Sequence, residues 1–307
     1  MLRNQLGTSD IYISALTLGC MSLGKDVGHA RKIIDTALDI GINHLDTADL
    51  YDFGQNEKIV GETIKHKREH VILTSKVGNH FDAQKEDWFW DPSPEHIKNG
   101  IKDSLRRLQT DYIDFYMLHG GTIEDPLDES VSAMEDLKQE GLIRAYGVSS
   151  IRPNVIRWYI EHSNIDAVMM QYSMLDRRPE EALLDELNQH QISVLSRGPL
   201  AKGMLSNRAQ EHIKHKAQDG YMDYTYENLL TIYDKLNDIA HENDSSIQEM
   251  ALKYVLKHPA VASAVFGASS IDQVKANTRI DLSEKLMDET YETLKQITMP
   301  IKYTAHR

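Results

Sequence analysis

The strongest constraint on the fold is an alternation, repeated eight times along the chain, between short apolar runs and longer segments. The short runs are rich in β-branched residues, as buried strands are, whereas segments such as ARKIIDTALDIG carry apolar residues three or four positions apart, as amphipathic helices do. Strands that alternate with helices form a parallel sheet covered by helices, and eight such units predict a closed (β/α)8 TIM barrel. The predicted strands are residues 15–19, 44–48, 71–78, 113–120, 145–150, 166–174, 193–200 and 261–269.

The segments outside this repeat fit one barrel domain over residues 1–307. NQLGTSDIYIS, near the start, predicts a small N-terminal β-hairpin, and SEKLMDETYETLKQI, near the end, predicts an extra C-terminal helix. No low-complexity linker marks a domain boundary. The longest stretches without a helix or strand pattern are residues 79–92 and 201–226, and each follows a predicted strand.

Composition restricts the partners and the compartment. The formal net charge of −13 argues against nucleic acid and anionic membranes as partners, because no basic patch emerges from the sequence. A single cysteine, Cys20, leaves no internal disulfide, and no apolar run approaches the length of a membrane helix. The N-terminal MLRNQLGTSD lacks the apolar core of a signal peptide. We therefore expect a protein of a soluble, reducing compartment, most simply the cytoplasm.

Ionisable residues follow three consecutive predicted strands. Asp46, Lys76 and His119 lie at the ends of strands two, three and four, and Tyr51 follows in the loop after Asp46. Taken singly, each has a structural interpretation, as a cap, a snorkelling cation, a pocket wall or a hydrogen-bonded core residue. A lysine within the apolar run VILTSKVG, however, needs a nearby anion, and Asp46 is the candidate. Asp49 is interpreted as a loop or capping residue.

Several longer segments resemble the aldo-keto reductase family, in the family's order and over nearly the whole chain. They are LGTSDIYISALTLGCMSLG near the start, GINHLDTADLYDFGQNEKIVGETI (41–64), VILTSKVG (71–78), SLRRLQTDYIDFYMLHG (104–120), GLIRAYGVSS (141–150) and GASSIDQVKAN (267–277). The resemblance implies a nicotinamide-dependent carbonyl reductase. It also implies that Asp46, Tyr51, Lys76 and His119 form the catalytic tetrad.

The chemistry of carbonyl reduction gives each member of this tetrad a role. Hydride transfer leaves negative charge on the carbonyl oxygen, which an acid must neutralise, and Tyr51 is the expected proton donor. A cation about 4 Å from the phenol, at an effective dielectric of about 20, attracts the tyrosinate by roughly 4 kcal/mol before desolvation is subtracted. Lys76 is that cation. Asp46 is expected to orient the lysine, and His119 to hold the carbonyl oxygen.

The resemblance also implies cofactor contacts. The family places a Ser-Asn pair after strand five, where this chain has Ser149 and Ser150, and a glutamine on strand six, which Gln171 matches. PLAKGML (199–205) resembles the loop over the diphosphate, and GASSIDQ (267–273) resembles the turn on the adenosine side. The expected cofactor-binding residues are Gly19, Cys20, Met21, Asp46, Ser149, Ser150, Gln171, Arg197, Gly198, Pro199, Leu200, Lys202, Gly203, Gly267, Ala268, Ser269, Gln273 and Asn277.

The residues expected around the adenosine favour NADP(H), with NAD(H) as the alternative. Many family members have a lysine where Gly267 stands and an arginine where Gln273 stands, so two charges that would bind a 2′-phosphate are missing. Ser269, Ser270 and Gln273, together with backbone amides, still offer donors, and Arg279 is a further candidate. We therefore predict a preference for NADPH that is smaller than in lysine- and arginine-bearing relatives.

Two other functions are alternatives for this sequence. One is a catalytically idle barrel that binds a nicotinamide nucleotide as a regulatory subunit, and another is a metal-dependent hydrolase, for which strand one offers no ligands. GPLAKGM only approximates a phosphate-binding loop. His212 and His215 indicate a solvated helix face, so no metal site is expected. The aromatic residues of segment 79–92 are expected to wall the pocket for a carbonyl substrate. The physiological substrate and the oligomeric state do not follow from these motifs.

Overall fold

A computed structural model describes residues 1–307, and eight of its strands form the closed parallel barrel that the alternation predicts. The strands are β1 (Arg3–Gln5), β2 (Tyr12–Ser14), β3 (Leu16–Gly19), β4 (His44–Asp46), β5 (Ile72–Val77), β6 (Asn79–Asp82), β7 (Asp87–Trp90), β8 (Ile113–Leu118), β9 (Ile143–Ser149), β10 (Ala167–Gln171), β11 (Ser193–Arg197) and β12 (Val261–Gly267). Around the barrel the order is β3, β4, β5, β8, β9, β10, β11, β12 and back to β3. All eight predicted strands are confirmed.

Helices surround the barrel and bury their apolar faces against the outside of the sheet. They are α1 (Val27–Asp39), α2 (Gln55–Ile64), α3 (Pro94–Leu108), α4 (Leu127–Gln139), α5 (Pro153–His162), α6 (Leu183–Gln189), α7 (Ala209–Lys216), α8 (Tyr226–Glu242), α9 (Ile247–Leu256), α10 (Ile271–Thr278) and α11 (Asp288–Ile297). The last of these confirms the extra C-terminal helix. None of the helices is both long enough and apolar enough to cross a membrane.

The predicted N-terminal hairpin is also present and lies at one end of the barrel. Its strands β1 and β2 pair antiparallel, with Asn4 opposite Ile13. Leu6, Ile11 and Ile13 are buried in one cluster with residues that point into the barrel, such as Phe115. The hairpin therefore closes the barrel at the end opposite the carboxyl ends of the strands, because β2 leads directly into the start of β3.

Two segments expected to be irregular contain regular structure. Residues 79–92 form the antiparallel hairpin of β6 and β7, with Asn79 opposite Trp90, and residues 201–226 include α7. The hairpin was missed because its strands, NHFD and DWFW, have only four residues each and show no alternation of apolar and polar residues. Several predicted strands also extend too far: β10 ends at Gln171 rather than residue 174, because the chain leaves the sheet at the rim.

Candidate active site

The barrel brings the four expected catalytic residues together at its carboxyl rim. Asp46 ends β4, Lys76 is the penultimate residue of β5, and His119 directly follows β8. These three strands are neighbours in the barrel, and the backbone N–H of His119 donates to the carbonyl of Val77 at 2.8 Å. Tyr51 begins a short 3-10 turn after β4.

Lys76 is fully buried and lies at the centre of the site. Its Nζ is 2.8 Å from Asp46 Oδ1, donates to the carbonyl of Thr47 at 2.7 Å, and lies 3.3 Å from the Tyr51 hydroxyl. Burial works against the charged lysine, but Asp46 and Tyr51 outweigh it and raise the lysine pKa above its ordinary value. Lys76 is therefore a cation at neutral pH, held between one carboxylate and one phenol.

Tyr51 keeps its proton in this environment. Burial raises its pKa, and the attraction of Lys76 offsets that rise only in part. The lysine therefore does not produce the net lowering of the tyrosine pKa that Coulomb attraction alone would give. A phenol that stays protonated, with a cation ready to stabilise the anion it leaves, suits a proton donor.

The turn that presents Tyr51 is strained. Asp52 and Phe53 both have left-handed backbone angles, with φ of 48° and 50°, and Gly54 follows with φ of 83°. A non-glycine residue in this region costs about 1–2 kcal/mol, so two in succession persist only where the surroundings hold them. The helix α2 begins directly after this turn, at Gln55.

His119 completes the group as a neutral ring. Its centroid lies 5.7 Å from that of Tyr51, edge to face. Burial, together with the positive charges of Lys76 and Arg197, lowers the His119 pKa to about 3. Its Nδ1 is buried and has no partner within the protein, so the ring has hydrogen-bonding capacity to offer a bound molecule.

Three polar residues that support this group were missed from the sequence. The carbonyl of Thr47 accepts from Lys76, and the Thr47 hydroxyl donates to Asn56 Oδ1 at 2.6 Å. Asn56 Nδ2 donates in turn to the carbonyl of Cys20 at 2.8 Å. His44, one layer below Asp46, bridges two threonine hydroxyls. A polar residue within an otherwise apolar, buried element is the sequence signal that could have identified them.

Asp49 lies in the loop after β4, as expected, but it does not cap a helix. It is buried, one carboxylate oxygen has no partner, and burial with the nearby charge of Glu57 raises its pKa well above the ordinary value. Glu57 itself is paired with Arg107 at 2.6 Å. These residues lie beside the tetrad, not within it.

The residues expected to contact the nicotinamide lie around the same rim. Ser149 ends β9 and Gln171 ends β10, where its Nε2 donates to the Tyr221 hydroxyl at 3.3 Å. The Ser150 hydroxyl accepts from the backbone N–H of Arg152 at 3.1 Å. Arg197, at the end of β11, is exposed and forms no ion pair within the protein.

The segment after β11 has the backbone of a tight loop. Gly198 and Gly203 have φ of 67° and 93°, and Ala201 and Lys202, between them, are also left-handed. Pro199 and Ala201 are buried, and Leu200 is half-buried. On the other side of the rim, Gly19 is paired with both Asp46 and Gly267. Of its neighbours, Cys20 is buried and Met21 is 63% exposed.

The segment after β12 makes a turn into α10. Ala268 is buried, and Ser269 donates through its backbone N–H and its hydroxyl to Gln273 Oε1, at 2.8 and 3.2 Å. Asn277 is buried, and its Oδ1 accepts from Gln248, so this side chain is partly committed to the scaffold. Arg279 follows the last residue of α10, at the end of the helix opposite Ser269.

Comparison with known proteins agrees with this geometry. Residues 15–298 match the model of the Aldo/keto reductase family. The chain is 50% identical to YqkF, an uncharacterized oxidoreductase of Bacillus subtilis, with 100% of both chains covered. It is 32% identical to the NADH-specific methylglyoxal reductase of Escherichia coli, with 96% of this chain and 100% of that protein covered.

A solved structure gives the same result in three dimensions. The holo form of the aldo-keto reductase AKR11C1 from Bacillus halodurans superimposes with a TM-score of 0.94 at 50% identity, covering 100% of this chain and 99% of that chain. The fold is that of a TIM-barrel oxidoreductase. The chain belongs to the aldo/keto reductase family, whose members use nicotinamide cofactors.

Proposed function

We propose that this protein reduces aldehydes or ketones to alcohols with a nicotinamide cofactor, and that Tyr51 donates the proton. The observation that carries the proposal is the Tyr51 hydroxyl, 3.3 Å from the buried Lys76 Nζ and beside a neutral His119. An acid, a cation to stabilise its conjugate base, and a neutral hydrogen-bonding ring are the groups that carbonyl reduction requires.

In the proposed reaction the bound nicotinamide supplies the hydride. Negative charge develops on the carbonyl oxygen, and the Tyr51 O–H bond breaks as its proton passes to that oxygen. Lys76 stabilises the tyrosinate that remains, and Asp46 keeps the lysine in place and offsets its charge. His119 holds the oxygen next to the phenol through a ring nitrogen.

Two features of the rim fit a nicotinamide nucleotide. Arg197 is an exposed guanidinium without a protein anion, at a position suited to a diphosphate or to stacking on the nicotinamide. Ser149 and Gln171, at the ends of adjacent strands, offer a hydroxyl and an amide for a carboxamide. Residues 198–203 and 267–269 would enclose the diphosphate and the adenosine.

We also propose that NADPH is preferred to NADH, by a small margin. Ser269, Ser270 and the first backbone amides of α10 can hold a 2′-phosphate. No lysine or arginine stands at positions 267 or 273, and Gln273 Oε1 is already bonded to Ser269. Each absent charge-assisted bond removes about 1–3 kcal/mol of discrimination. Because a relative that is 32% identical to this chain is NADH-specific, the two cofactors must be compared directly.

The deciding experiment combines cofactor titration with turnover. NADPH and NADH are titrated by fluorescence at one salt concentration, and oxidation of each is then followed with a panel of aldehydes and ketones. The proposal predicts binding of both cofactors, tighter for NADPH, and carbonyl-dependent oxidation. Binding without turnover on any carbonyl would indicate the idle regulatory barrel instead, and tighter binding of NADH would overturn the cofactor preference.

A further inference from the structure

Two histidines and an aspartate meet outside the tetrad, between the β6–β7 hairpin and α3. His80 lies on β6, Asp91 directly follows β7, and His96 lies in the first turn of α3. One ligand atom from each lies within 4.8 Å of the other two. Asp91 Oδ2 is 3.3 Å from His80 Nδ1 and 4.0 Å from His96 Nδ1.

Local structure holds these three side chains in place. Asp91 Oδ1 accepts from the backbone N–H of Ser93, which leaves Oδ2 facing the histidines. Ser93 caps α3 by accepting from the backbone N–H of His96 at 3.2 Å. The rings of His80 and His96 are stacked, with centroids 4.9 Å apart. Both Nδ1 atoms face the same carboxylate oxygen, Asp91 Oδ2.

The surroundings favour a cation. The three residues line a cavity of about 440 Å³ together with the carboxylates of Asp49, Glu95 and Asp103. Arg107, the one cation in the lining, is already paired with Glu57. The buried Asp49 carboxylate has one oxygen without a partner, and a buried polar atom of this kind indicates a missing ion, water or ligand.

We propose that His80, Asp91 and His96 bind a divalent transition-metal ion of the Zn²⁺ type, with water completing a tetrahedron. Bonds of about 2.0–2.2 Å to zinc place neighbouring ligand atoms roughly 3.3–3.6 Å apart. The two imidazoles, whose planes are 14° apart, must therefore rotate out of their stacked arrangement until both Nδ1 lone pairs point at the ion. Imidazole with one carboxylate suits zinc, nickel or copper, whereas magnesium and calcium require mainly oxygen. The bound ion ties the hairpin to α3. This inference does not depend on the proposed reductase activity.

The test is calorimetric titration of the chelator-treated full-length protein with Zn²⁺, and separately with Mg²⁺. We expect one equivalent of Zn²⁺ to bind, at least about tenfold more weakly in His80→Gln and in His96→Gln. His215→Gln removes an exposed histidine of α7 and serves as the matched control, which should bind as the wild type does. His80 is exposed, so its substitution leaves the fold intact.

A second measurement locates the ion. Trp88 and Trp90 lie on the hairpin strand β7, whereas the third tryptophan, Trp158, lies on α5. Cu²⁺ should therefore quench the tryptophan fluorescence of the wild type and of His215→Gln, and do so far less in His80→Gln. Absence of Zn²⁺ binding, equal binding by His80→Gln and wild type, or Mg²⁺ binding as tight as Zn²⁺ would each overturn the proposal.

Discussion

The inner wall of the barrel has two halves of opposite character. On β8 to β11 the inward side chains are apolar, and they pack with the N-terminal hairpin; they include Phe115, Met117, Met169 and Leu195. On β12, β3, β4 and β5 one layer of inward side chains is polar, namely Ser263, Thr17, His44 and Thr74, and the layer above it holds Asp46 and Lys76. Val265 of β12 still belongs to the apolar cluster. The charged part of the site thus rests on the polar half.

The two halves are stabilised differently. The apolar half gains from burial alone, whereas a buried polar layer is tolerable only when its groups are paired. The Thr17 hydroxyl lies 2.7 Å from His44 Nδ1 and 2.6 Å from the Ser263 hydroxyl, and His44 Nε2 lies 2.7 Å from Thr74 Oγ1. The polar half therefore accommodates the charged residues of the site, whereas the apolar half stabilises the fold through burial.

The largest expected effect is on catalysis, at Lys76. Lys76→Met keeps the bulk but removes the cation that stabilises the tyrosinate, and a loss of roughly 4 kcal/mol corresponds to about a 10³-fold fall in kcat. Any tyrosine-linked step in the pH profile should move upward. Steady-state kinetics from neutral to alkaline pH measures both.

The control for this variant is the double substitution Asp46→Asn with Lys76→Met. Removing the lysine alone leaves a buried carboxylate unpaired, which destabilises the protein. The double variant should recover stability but not activity. A wild-type kcat in either variant would show that Lys76 does not take part in the reaction.

The next effect is on stability, in the apolar half. Phe115→Ala should lower the free energy of unfolding by about 3–5 kcal/mol, because Phe115 is fully buried and the substitution leaves a cavity. The kcat should stay near that of the wild type. Urea unfolding and steady-state kinetics check the two parts, and a large loss of kcat with little loss of stability would contradict the division between the halves.

A smaller stability effect is expected in the polar half. His44→Leu leaves the Thr74 hydroxyl without its partner and should cost about 1–3 kcal/mol at neutral pH. Burial and the charge of Lys76 lower the His44 pKa to about 3, so between about pH 6.5 and 3 the unfolded state binds a proton that the folded state does not. Stability present above pH 6.5 is therefore lost on acidification.

That pH dependence distinguishes His44 from an ordinary packing residue. One such group contributes a slope of up to about 1.4 kcal/mol per pH unit, which His44→Leu should remove. Urea titrations at several pH values between 7 and 4 measure the slope. An unchanged slope would show that His44 is not held neutral in the folded protein.

The smallest effect concerns the cofactor. If Gln273 lies beside the 2′ position, Gln273→Arg adds a charge-assisted contact and should raise the affinity ratio of NADPH to NADH by roughly tenfold. Gln273→Leu removes the side-chain oxygen without adding charge and serves as the control. If the NADPH to NADH affinity ratio is unchanged in Gln273→Arg, Gln273 does not lie beside the 2′ position of the cofactor.

Much of this molecule could be predicted from its sequence, because the barrel has a regular period and the tetrad occupies characteristic motifs. The eight strands follow from alternation, and the rim positions of Asp46, Lys76 and His119 follow from where the strands end. What could not be predicted depends on contacts between distant segments. The hydrogen bonds of His44 and Asn56, and the approach of His80 to His96, are set by packing that no local pattern records.

The net effect on the Tyr51 pKa could not be predicted from the sequence. Coulomb attraction from Lys76 was expected to help Tyr51 ionise, and it does act in that direction, but burial has the larger effect and the tyrosine pKa is raised. The extent of burial cannot be read from the motif. The left-handed backbone at Asp52 and Phe53, in the turn that carries Tyr51, is likewise not revealed by the sequence.

The most direct test of the central claim is Tyr51→Phe, measured for both turnover and cofactor affinity. Only the proton donor is lost, so kcat for carbonyl reduction should fall by about 10²–10⁴-fold while the Kd for NADPH stays nearly unchanged. Tyr112→Phe, which removes a phenol outside the site, is the matched control and should keep full activity. A Tyr51→Phe variant with the kcat of the wild type would contradict the assignment of Tyr51 as the acid.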